Sequence, residues 1–402
     1  MRVLCTCLPG HGHFNPMVSL ARALAGAGHD VAFATAAAFC PTVEASGFEA
    51  FPAGISLPDQ LAEARRRYPD DAGLSGRERF ESFVPRMLGG VAAPARAEDL
   101  VPVVRRWRPD VLVHDETEFG GPIAATRAGI PYADQSVGIM RPLGMARLAA
   151  ATLAPTWTRW GVDLGPHGGL FRYLYLDVCP PSLQSTEIES VDVAHPVQNV
   201  AIPPPPGERL PDWIGELPPL PTAYASLGTV FNHDLGVFRA ILEGLAALDV
   251  NVILTIGPDN DPADLGPQSP NVHVERYISQ ELLLPVCDVA VNQGGTAMLP
   301  ILAHGLPVLV MPQGANQFHN ADACVATGVG RRLLPAQVSA ESVRNEVATL
   351  LSEPSFAENA RRVAGEIEAM PGPDQGVRLL EQLADSHRPI RRAGVATPAP
   401  EP

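Results

Sequence analysis

The chain has 402 residues, a net charge of −15 and no lysine, so arginine supplies all 29 of its Lys and Arg residues. Without lysine it can form neither a Schiff base with a carbonyl substrate nor the lysine contact of a P-loop. The negative charge argues against general nucleic-acid binding. No apolar run approaches the ~20 residues of a membrane span, and no targeting segment is evident. We therefore predict a cytoplasmic protein whose six cysteines are reduced.

The first half of the chain alternates apolar strands with helices, which predicts a parallel α/β sheet. Val3–Leu8 and Val31–Thr35 are predicted strands, joined by a helix that Asn15 caps and that begins at Pro16. A later strand, Pro109–Asp115, ends on a carboxylate. Residues 136–185 are rich in methionine and aromatic residues, which fits equally an apolar pocket wall and loosely patterned helices.

The turn after the first strand contains Gly10 and Gly12, which could open a dinucleotide-binding fingerprint. The third glycine position of that fingerprint holds Asn15 instead. The second strand also ends at Thr35 without the acidic residue that would bind a ribose. We therefore predict no NAD, FAD or other cofactor.

The second half repeats the alternation, and its central stretch predicts an anion site. Val289–Val291 is a predicted buried strand that leads through Asn292, Gln293 and the glycine pair 294–295 into a helix near Thr296. Free amides at a helix N-terminus, beside residues without side chains, let a phosphate approach closely. The next predicted strand, 308–311, ends in the polar loop 312–320 at the same sheet edge, where open α/β sheets bind ligands.

Composition also predicts the domain boundaries. Four consecutive prolines, 203–206, and further prolines through Pro221 indicate a stiff linker, because proline disrupts helices and central strands. Helices near Glu341–Leu351 and Ala357–Ala369 are predicted to complete the second domain. The predicted divisions are a first domain over 1–205, a linker over 206–221, a second domain over 222–388 and a disordered tail over 389–402.

These motifs, in this order, resemble the GT-B-fold glycosyltransferases that use nucleotide sugars, in particular their actinobacterial natural-product branch. The similarity extends from His11 through the helix after Asn320 and is most specific over 293–320. It implies two Rossmann-like α/β domains that face one another across a cleft. It also implies no metal, and a nucleoside diphosphate sugar and a small aglycone as the bound molecules. A homodimer is a further expectation.

The resemblance implies catalytic roles for two residues. His13 matches the general base that takes the proton from the acceptor hydroxyl, and Asp115 matches the carboxylate that orients this histidine. The chemistry requires such a pair because an alcohol is a poor nucleophile until a base removes its proton. Without the resemblance, a single histidine at a strand-to-helix turn is more often structural.

The resemblance also implies a donor site in the second domain, in which Tyr277 stacks on the base and the backbone of Ile278 reads its edge. The glycine pair cradles the diphosphate, and Asn316 and Gln317 bind the sugar hydroxyls. Tyr277 as a core residue, and Ser226 as a mere strand end, are the alternatives. The implied donor-binding residues are Ser226, Gly228, Thr229, Tyr277, Ile278, Gln293, Gly294, Gly295, Thr296, Asn316 and Gln317.

Four residues depart from the family pattern. Gln293 stands where many relatives have His, Ala297-Met298 where Gly-Thr is usual, and Asn316 where Asp or Glu is common. Thr296 is the residue that could supply the missing hydroxyl. An amide at position 316 can donate as well as accept hydrogen bonds, which suits a deoxygenated or otherwise modified sugar.

The predicted reaction is an inverting, metal-independent transfer of a sugar from a dTDP- or UDP-sugar to a hydroxyl of an apolar natural-product aglycone, as in antibiotic biosynthesis. The expected sugar is a deoxysugar. The departures motivate one alternative, a degenerate relative that binds a nucleotide or a partner transferase without catalysis. A sugar-nucleotide epimerase on the same fold is another, and it would turn over the donor alone.

Overall fold

The computed structural model describes residues 1–199, 204, 207–228, 232 and 234–392, and this part of the chain forms two compact units. Within it, the first unit contains residues 1–179, 184–199 and 370–392, and the second contains residues 180–183 and the remainder up to residue 369. Each unit is built on one sheet of parallel strands flanked by helices. The predicted α/β class is confirmed.

The sheet of the first unit has the strand order β3-β2-β1-β4-β5-β6-β7. Val3 of β1 pairs with Val31 on one side and Val111 on the other, and all three side chains are largely or fully buried. Such apolar central strands are typical of a parallel sheet covered on both faces. The strands are β1 (Arg2–Thr6), β2 (Asp30–Thr35), β3 (Glu49–Pro52), β4 (Val111–Asp115), β5 (Tyr132–Gln135), β6 (Tyr175–Asp177) and β7 (Ala194–Pro196).

The helices of the first unit up to residue 159 include one whose start differs from the prediction. They are α1 (His11–Gly26), α2 (Cys40–Ala45), α3 (Leu57–Arg67), α4 (Gly76–Glu78), α5 (Val84–Met87), α6 (Ala93–Trp107), α7 (Gly120–Ala128) and α8 (Leu143–Arg159). The prediction that α1 begins at Pro16 is wrong. The amides of His13 and Phe14 both bond to the carbonyl of Gly10, at 3.1 and 3.0 Å, so the first turn closes before the proline. This start places His13 in the first turn of α1.

The sheet of the second unit has the order β10-β9-β8-β11-β12-β13, the doubly wound arrangement of a Rossmann-like fold. Asn292, at the end of β11, pairs with Ser226 of β8 and Val310 of β12. The loops that follow these three strands therefore leave from one edge. The strands are β8 (Thr222–Ser226), β9 (Asn251–Thr255), β10 (Val272–Glu275), β11 (Val289–Asn292), β12 (Val308–Val310) and β13 (Gly330–Arg332).

Helices cover both faces of this second sheet. Phe238, Ile241 and Leu245 recur at helical spacing and are fully buried against strand residues such as Val252 and Leu254. In the described residues, no helix has the length and apolarity required to cross a bilayer. The helices are α9 (Leu235–Ala246), α10 (Gln280–Leu283), α11 (Met298–Ala303), α12 (Gln317–Thr327), α13 (Ala340–Ser352) and α14 (Pro354–Ala369).

The predicted linker is, from residue 207 onward, a packed part of the second unit. Trp213 stacks on the ring of His273, with ring centroids 3.7 Å apart. Glu208 Oε1 accepts a hydrogen bond of 3.2 Å from the amide of Ser279. Residues 203, 205 and 206 of the predicted proline run lie outside the described residues. The prediction of a stiff linker separate from both domains is therefore wrong over 207–221, because its aromatic and acidic side chains contact the second unit.

The C-terminal end of the second domain also differs from the prediction. A helix that the sequence analysis did not predict, α15 (Pro373–Ser386), belongs to the first unit and packs on α1. Gly376 of α15 lies so close to α1 that a Cβ atom there would be 2.7 Å from Leu20 Cδ1. The second unit therefore ends at Ala369, and the predicted end at residue 388 is wrong.

Residues 389–392 are ordered, where the sequence analysis predicted a disordered tail. The amide of Ile390 donates to the carbonyl of Tyr173 and that of Arg392 to the carbonyl of Asp192, each at 2.8 Å. These bonds add a short segment to the surface of the first unit. The predicted disorder of residues 393–402 lies outside the described residues.

Candidate active site

The two residues to which the resemblance assigns catalysis lie together in the first unit. His13 has 29% of its side chain exposed, and Asp115 is the fully buried last residue of β4. Oδ1 of Asp115 lies 3.4 Å from His13 Nδ1. The hydroxyl of Thr117 lies 3.2 Å from the same nitrogen and also donates to Asp115 Oδ1. Because Nδ1 faces these groups, Nε2 is the nitrogen left to accept a proton from a substrate.

Hydrogen-bond donors hold the carboxylate of Asp115 in place. The backbone amide of Leu8 donates to Oδ2 and that of Thr117 to Oδ1, each at 2.8 Å. Burial alone would raise the pKa of Asp115, but the neighbouring His13 and these hydrogen bonds outweigh burial and hold the pKa well below its usual range. An ionised carboxylate at this position can orient the imidazole and stabilise its protonated form.

A second buried carboxylate, Glu118, fixes the loop between β4 and α7. It accepts hydrogen bonds from the amides of Gly120 and Gly121, at 2.6 and 2.9 Å, and from the hydroxyl of Thr6 at 2.9 Å. The buried guanidinium of Arg96 lies 3.7 Å away. These contacts cap α7 and leave the loop beside the His13 site little freedom to move.

An apolar pocket borders this site within the first unit. It contains about 380 Å³ of empty space, part of which is open solvent. Thr117 forms part of the wall, so the pocket extends to a residue that contacts His13. Both interpretations of the stretch 136–185 apply, since it supplies pocket residues as well as the packed helix α8. The apolar wall includes Leu88, Phe119, Met140, Met145 and Phe171.

In the second unit, a side chain at the end of β11 and one in α12 hold the predicted diphosphate loop in place. The amide of Gly294 donates to Asn292 Oδ1 and its carbonyl accepts from Asn320 Nδ2, both at 2.7 Å. Gly294 has φ +85°, and a Cβ atom there would lie 2.7 Å from Val310 Cγ1. Position 294 therefore requires glycine. Asn292 and Asn320 lie within the predicted motifs, but nothing in the sequence assigned either residue a role.

Gln293 packs against the loop that follows β8. A Cβ atom on Gly228, which has φ +71°, would lie 2.3 Å from Gln293 Nε2, and one on Gly295 would lie 3.1 Å from it. The amide of Gly228 donates to Ser226 Oγ at 3.3 Å. The neutral side chain that replaces the usual histidine thus lies between the two glycine turns. Of the other predicted phosphate ligands, Thr296 is half-buried and Thr229 lies outside the described residues.

The aromatic residue assigned to base stacking is a surface residue of the second unit. Tyr277, after β10, has 67% of its surface exposed, which makes the alternative of a core residue wrong. The side chain of Ile278 is buried. An exposed tyrosine ring beside a buried anchor residue is available to stack on a ligand. The role of the Ile278 backbone in reading the base stays a prediction.

The two predicted sugar-binding residues differ in their surroundings. Oε1 of the buried Gln317 accepts hydrogen bonds from the amides of Gln313 and Gly314, at 2.7 and 2.9 Å. The oxygen of Gln317 thus holds the loop after β12, and binding of sugar hydroxyls by Gln317 stays a prediction. Asn316 is half-buried and follows Ala315, which has φ +53°. Its role as a sugar ligand stays a prediction.

Some residues of the site carry no signal that the sequence analysis could use. Thr117 is a single threonine two positions after a strand, and its contact with His13 depends on tertiary structure. Glu116 and Arg141 on the pocket wall are likewise brought together by the fold. Over the described residues, no group of three or more His, Cys, Asp or Glu side chains is arranged to hold a metal ion.

The two halves of the chain match two family models. Residues 22–214 match the erythromycin biosynthesis protein CIII-like N-terminal domain, and residues 239–383 match the corresponding C-terminal domain. The aclacinomycin-T 2-deoxy-L-fucose transferase of Streptomyces galilaeus is 30% identical, over 98% of this chain and 98% of its own.

Solved structures give the same result for the fold. The glycosyltransferase SsfS6 of Streptomyces sp. SF2575, complexed with thymidine diphosphate, has a TM-score of 0.79 at 26% identity, and the match covers 95% of this chain and 99% of that one. The spinosyn rhamnosyltransferase SpnG, complexed with spinosyn aglycone, also has a TM-score of 0.79 at 26% identity, with 95% and 100% covered. The chain therefore belongs to the erythromycin biosynthesis protein CIII-like family and is a glycosyltransferase with the GT-B fold.

Proposed function

We propose that this glycosyltransferase moves a deoxysugar from a dTDP- or UDP-sugar to a hydroxyl of a small apolar natural-product aglycone, with inversion at the anomeric carbon. The observation that carries the proposal is the contact of His13 Nδ1 with Asp115 and Thr117 beside an apolar pocket. This contact leaves Nε2 for the substrate, as a general base requires.

The proposed step is a single displacement. His13 Nε2 takes the proton of the acceptor hydroxyl as its oxygen forms a bond to the anomeric carbon. The bond from that carbon to the diphosphate breaks, and the nucleoside diphosphate leaves with the electron pair. The ionised Asp115 stabilises the positive charge that His13 gains. A general base of this kind contributes about 10²–10⁴ in rate.

The second unit would hold the donor. Its turns at Gly228 and Gly294 let a diphosphate approach the backbone closely, and the amides ahead of α11 can stabilise the charge of the leaving group without a metal. Tyr277 would stack on the base, and Asn316 would bind the sugar. The relative complexed with thymidine diphosphate supports a dTDP-sugar as the donor.

The test is mass spectrometry of the products formed from a panel of dTDP- and UDP-sugars with polyketide aglycones, followed by assignment of the anomeric configuration by NMR. His13→Ala should lower kcat by about 10²–10⁴-fold while dTDP binding, measured by calorimetry, persists. His11→Ala is the matched control. His11 lies in the same helical turn, is exposed and makes an edge contact with Phe39, so this variant should keep most of the activity.

Other outcomes of this test would contradict the proposal. Full turnover in His13→Ala would exclude His13 as the base. Nucleotide binding without transfer for any pair in the panel would favour the non-catalytic alternative, and turnover of the donor alone would favour an epimerase. Cytoplasmic localisation and a homodimer stay predictions, which fractionation and light scattering would test.

A further inference from the structure

The pocket beside His13 is apolar except for one charged side. Glu116 and Arg141 form an ion pair there, and both line the pocket next to Thr117. The side chain of Glu116 is 4% exposed and that of Arg141 is 15% exposed. Taking two charges out of water is unfavourable, and an apolar pair of similar volume is often at least as stable. The fold alone therefore does not account for charges at this point.

The hydrogen-bonding groups of Glu116 are satisfied more fully than those of Arg141. Oε2 of Glu116 accepts from the hydroxyl of the buried Tyr175 at 2.8 Å, and Oε1 accepts from Arg141 Nη1. Burial raises the pKa of Glu116, and the Arg141 guanidinium opposes that shift, so the carboxylate depends on its partner. Both oxygens of Glu116 are thus occupied. Arg141 Nε is buried, and no hydrogen-bond partner for it occurs among the residues that the structure describes.

Arg141 therefore has N–H donors that its contact with Glu116 does not use. A guanidinium carries five N–H groups in a fixed plane, and a buried N–H without an acceptor is unfavourable. The guanidinium lines the pocket, and a polarised or anionic oxygen of a bound molecule would be its best acceptor there. The surrounding rings and thioethers, Phe119, Phe171, Met140 and Met145, favour contact with a flat conjugated system.

We propose that Arg141 is a specificity-determining residue that binds a conjugated ketone or phenolate oxygen of the aglycone, so that the pocket selects planar, oxygenated aromatic acceptors. This inference rests on the proposed function for the meaning of the pocket as an acceptor site. Glu116 holds the guanidinium in position and balances its charge. The acceptor hydroxyl would be presented on the side of the pocket formed by Thr117.

The test is equilibrium binding, which does not depend on turnover. A hydroxyanthraquinone and the corresponding hydroxyanthracene, which lacks the ketone oxygens, are titrated into the unliganded protein and followed by fluorescence quenching. The wild type should bind the quinone more tightly by about 10- to 100-fold, the range for a hydrogen bond from a charged donor. Arg141→Met alone leaves the buried charge of Glu116 without its counter-ion, so the main variant is the double substitution Glu116→Gln and Arg141→Met, which removes both charges together.

The double variant should bind the two ligands within about threefold of each other, because only the quinone loses a hydrogen bond. Glu116→Gln alone should keep the preference, and Arg159→Met, an exposed arginine of α8 that pairs with Glu98, serves as the control for loss of an arginine. Thermal melts report whether each variant is folded.

Two results would overturn the inference. One is a quinone preference that survives in the double variant, and the other is an equal loss of affinity for both ligands, which would indicate a distorted pocket. Calorimetry with dTDP and the product assay separate this test from that of the proposed function. A protein that transfers sugar without the quinone preference contradicts this inference alone, whereas selective binding without any transfer contradicts the proposed function alone.

Discussion

Thr117 lies between the two groups that would carry out the proton transfer. Its hydroxyl is closer to His13 Nδ1, at 3.2 Å, than the Asp115 carboxylate is, at 3.4 Å. Its backbone amide and hydroxyl both donate to that carboxylate. Thr117 is therefore a positioning residue that fixes the imidazole and its partner relative to each other.

Replacement of Thr117 by valine keeps the shape of the side chain and removes the hydroxyl. We expect kcat to fall by about 2- to 10-fold, the range for one net hydrogen bond, while the KM for the donor is unchanged. Thr117→Ser, which restores the hydroxyl, should recover most of the kcat. Steady-state kinetics measures both values, and a change confined to the donor KM would contradict this role.

Asp115 also links stability to pH. Its pKa is lower in the folded protein than the ordinary value of about 3.9 expected in the unfolded chain, so its ionised form stabilises the fold above that value. The contribution is lost as the pH falls through this value towards the folded pKa. The advantage in Tm of the wild type over Asp115→Asn should therefore shrink below about pH 4. Scanning calorimetry measures it, and an advantage that does not change with pH would contradict the ionised state of Asp115.

At this scale the sequence supports only part of the site. His13 and Asp115 could be named because the resemblance assigns them, and they do lie together. Thr117 and Arg141 could not, because a single threonine or arginine carries no periodic signal and its partner lies far away in the chain. Gln317 was assigned a ligand role, but its oxygen binds backbone amides of its own loop.

At the level of the elements, three consecutive polar residues at the end of β4 and just after it contact three different partners. His114 lies 2.7 Å from Asp134 of β5, Asp115 contacts His13, and Glu116 pairs with Arg141. Alternation along a strand sends adjacent side chains to opposite faces, and the strand end lets the last one turn into the pocket. One strand terminus thus supports both the proposed base and the proposed acceptor wall.

The glycine turn after β8 permits a direct test. Gly228→Ala would place a Cβ atom 2.3 Å from Gln293 Nε2, so that side chain must move into the diphosphate loop. We expect dTDP affinity to fall by at least about tenfold, which corresponds to ~1.4 kcal/mol. Calorimetry measures it.

Gly129→Ala is the matched control for this substitution. Gly129 has the same φ of +71°, and within the described residues nothing lies within 4 Å of its Cβ position. Gly129→Ala therefore introduces the backbone strain without a steric clash, and it should leave dTDP affinity within about twofold of the wild-type value. Equal losses in both variants would show that strain, not the position of Gln293, is responsible.

Most strands were predictable because they are short apolar runs bounded by turn residues, as in Val289–Val291 and Val308–Val310. Helix boundaries were less predictable. Pro16 suggested the start of α1, yet the first turn forms ahead of it. The helix α15 was missed although Val377, Leu380 and Leu383 recur on one face and are buried.

For the whole molecule, the predicted pair of α/β units is confirmed and their boundaries are not. The sequence order suggested that residues up to 388 belong to the second domain, because two domains in simple tandem each use one continuous segment of the chain. Packing decides otherwise, since the apolar face of α15 and the ordered residues 389–392 lie on the first unit. Sequence patterns cannot reveal that a C-terminal helix packs on the N-terminal unit, because they relate only residues that are close along the chain.

The contribution of α15 to the first unit can be measured with one substitution. Leu380 is fully buried, and Leu380→Ala should destabilise the protein by about 2–5 kcal/mol through the cavity it leaves. Gln382→Ala, on the exposed side of the same helix, should change stability by less than about 0.5 kcal/mol. Denaturant unfolding measures both, and equal effects would show that the helix is not part of the core.

The return of α15 sets the order in which a newly made chain can fold. During synthesis β1 and α1 leave the ribosome long before α15, the helix that packs on α1. The second unit, complete by Ala369, can therefore finish folding before the first. Until α15 has emerged, nascent chains should expose to chaperones the face of α1 that α15 covers, which includes Leu20.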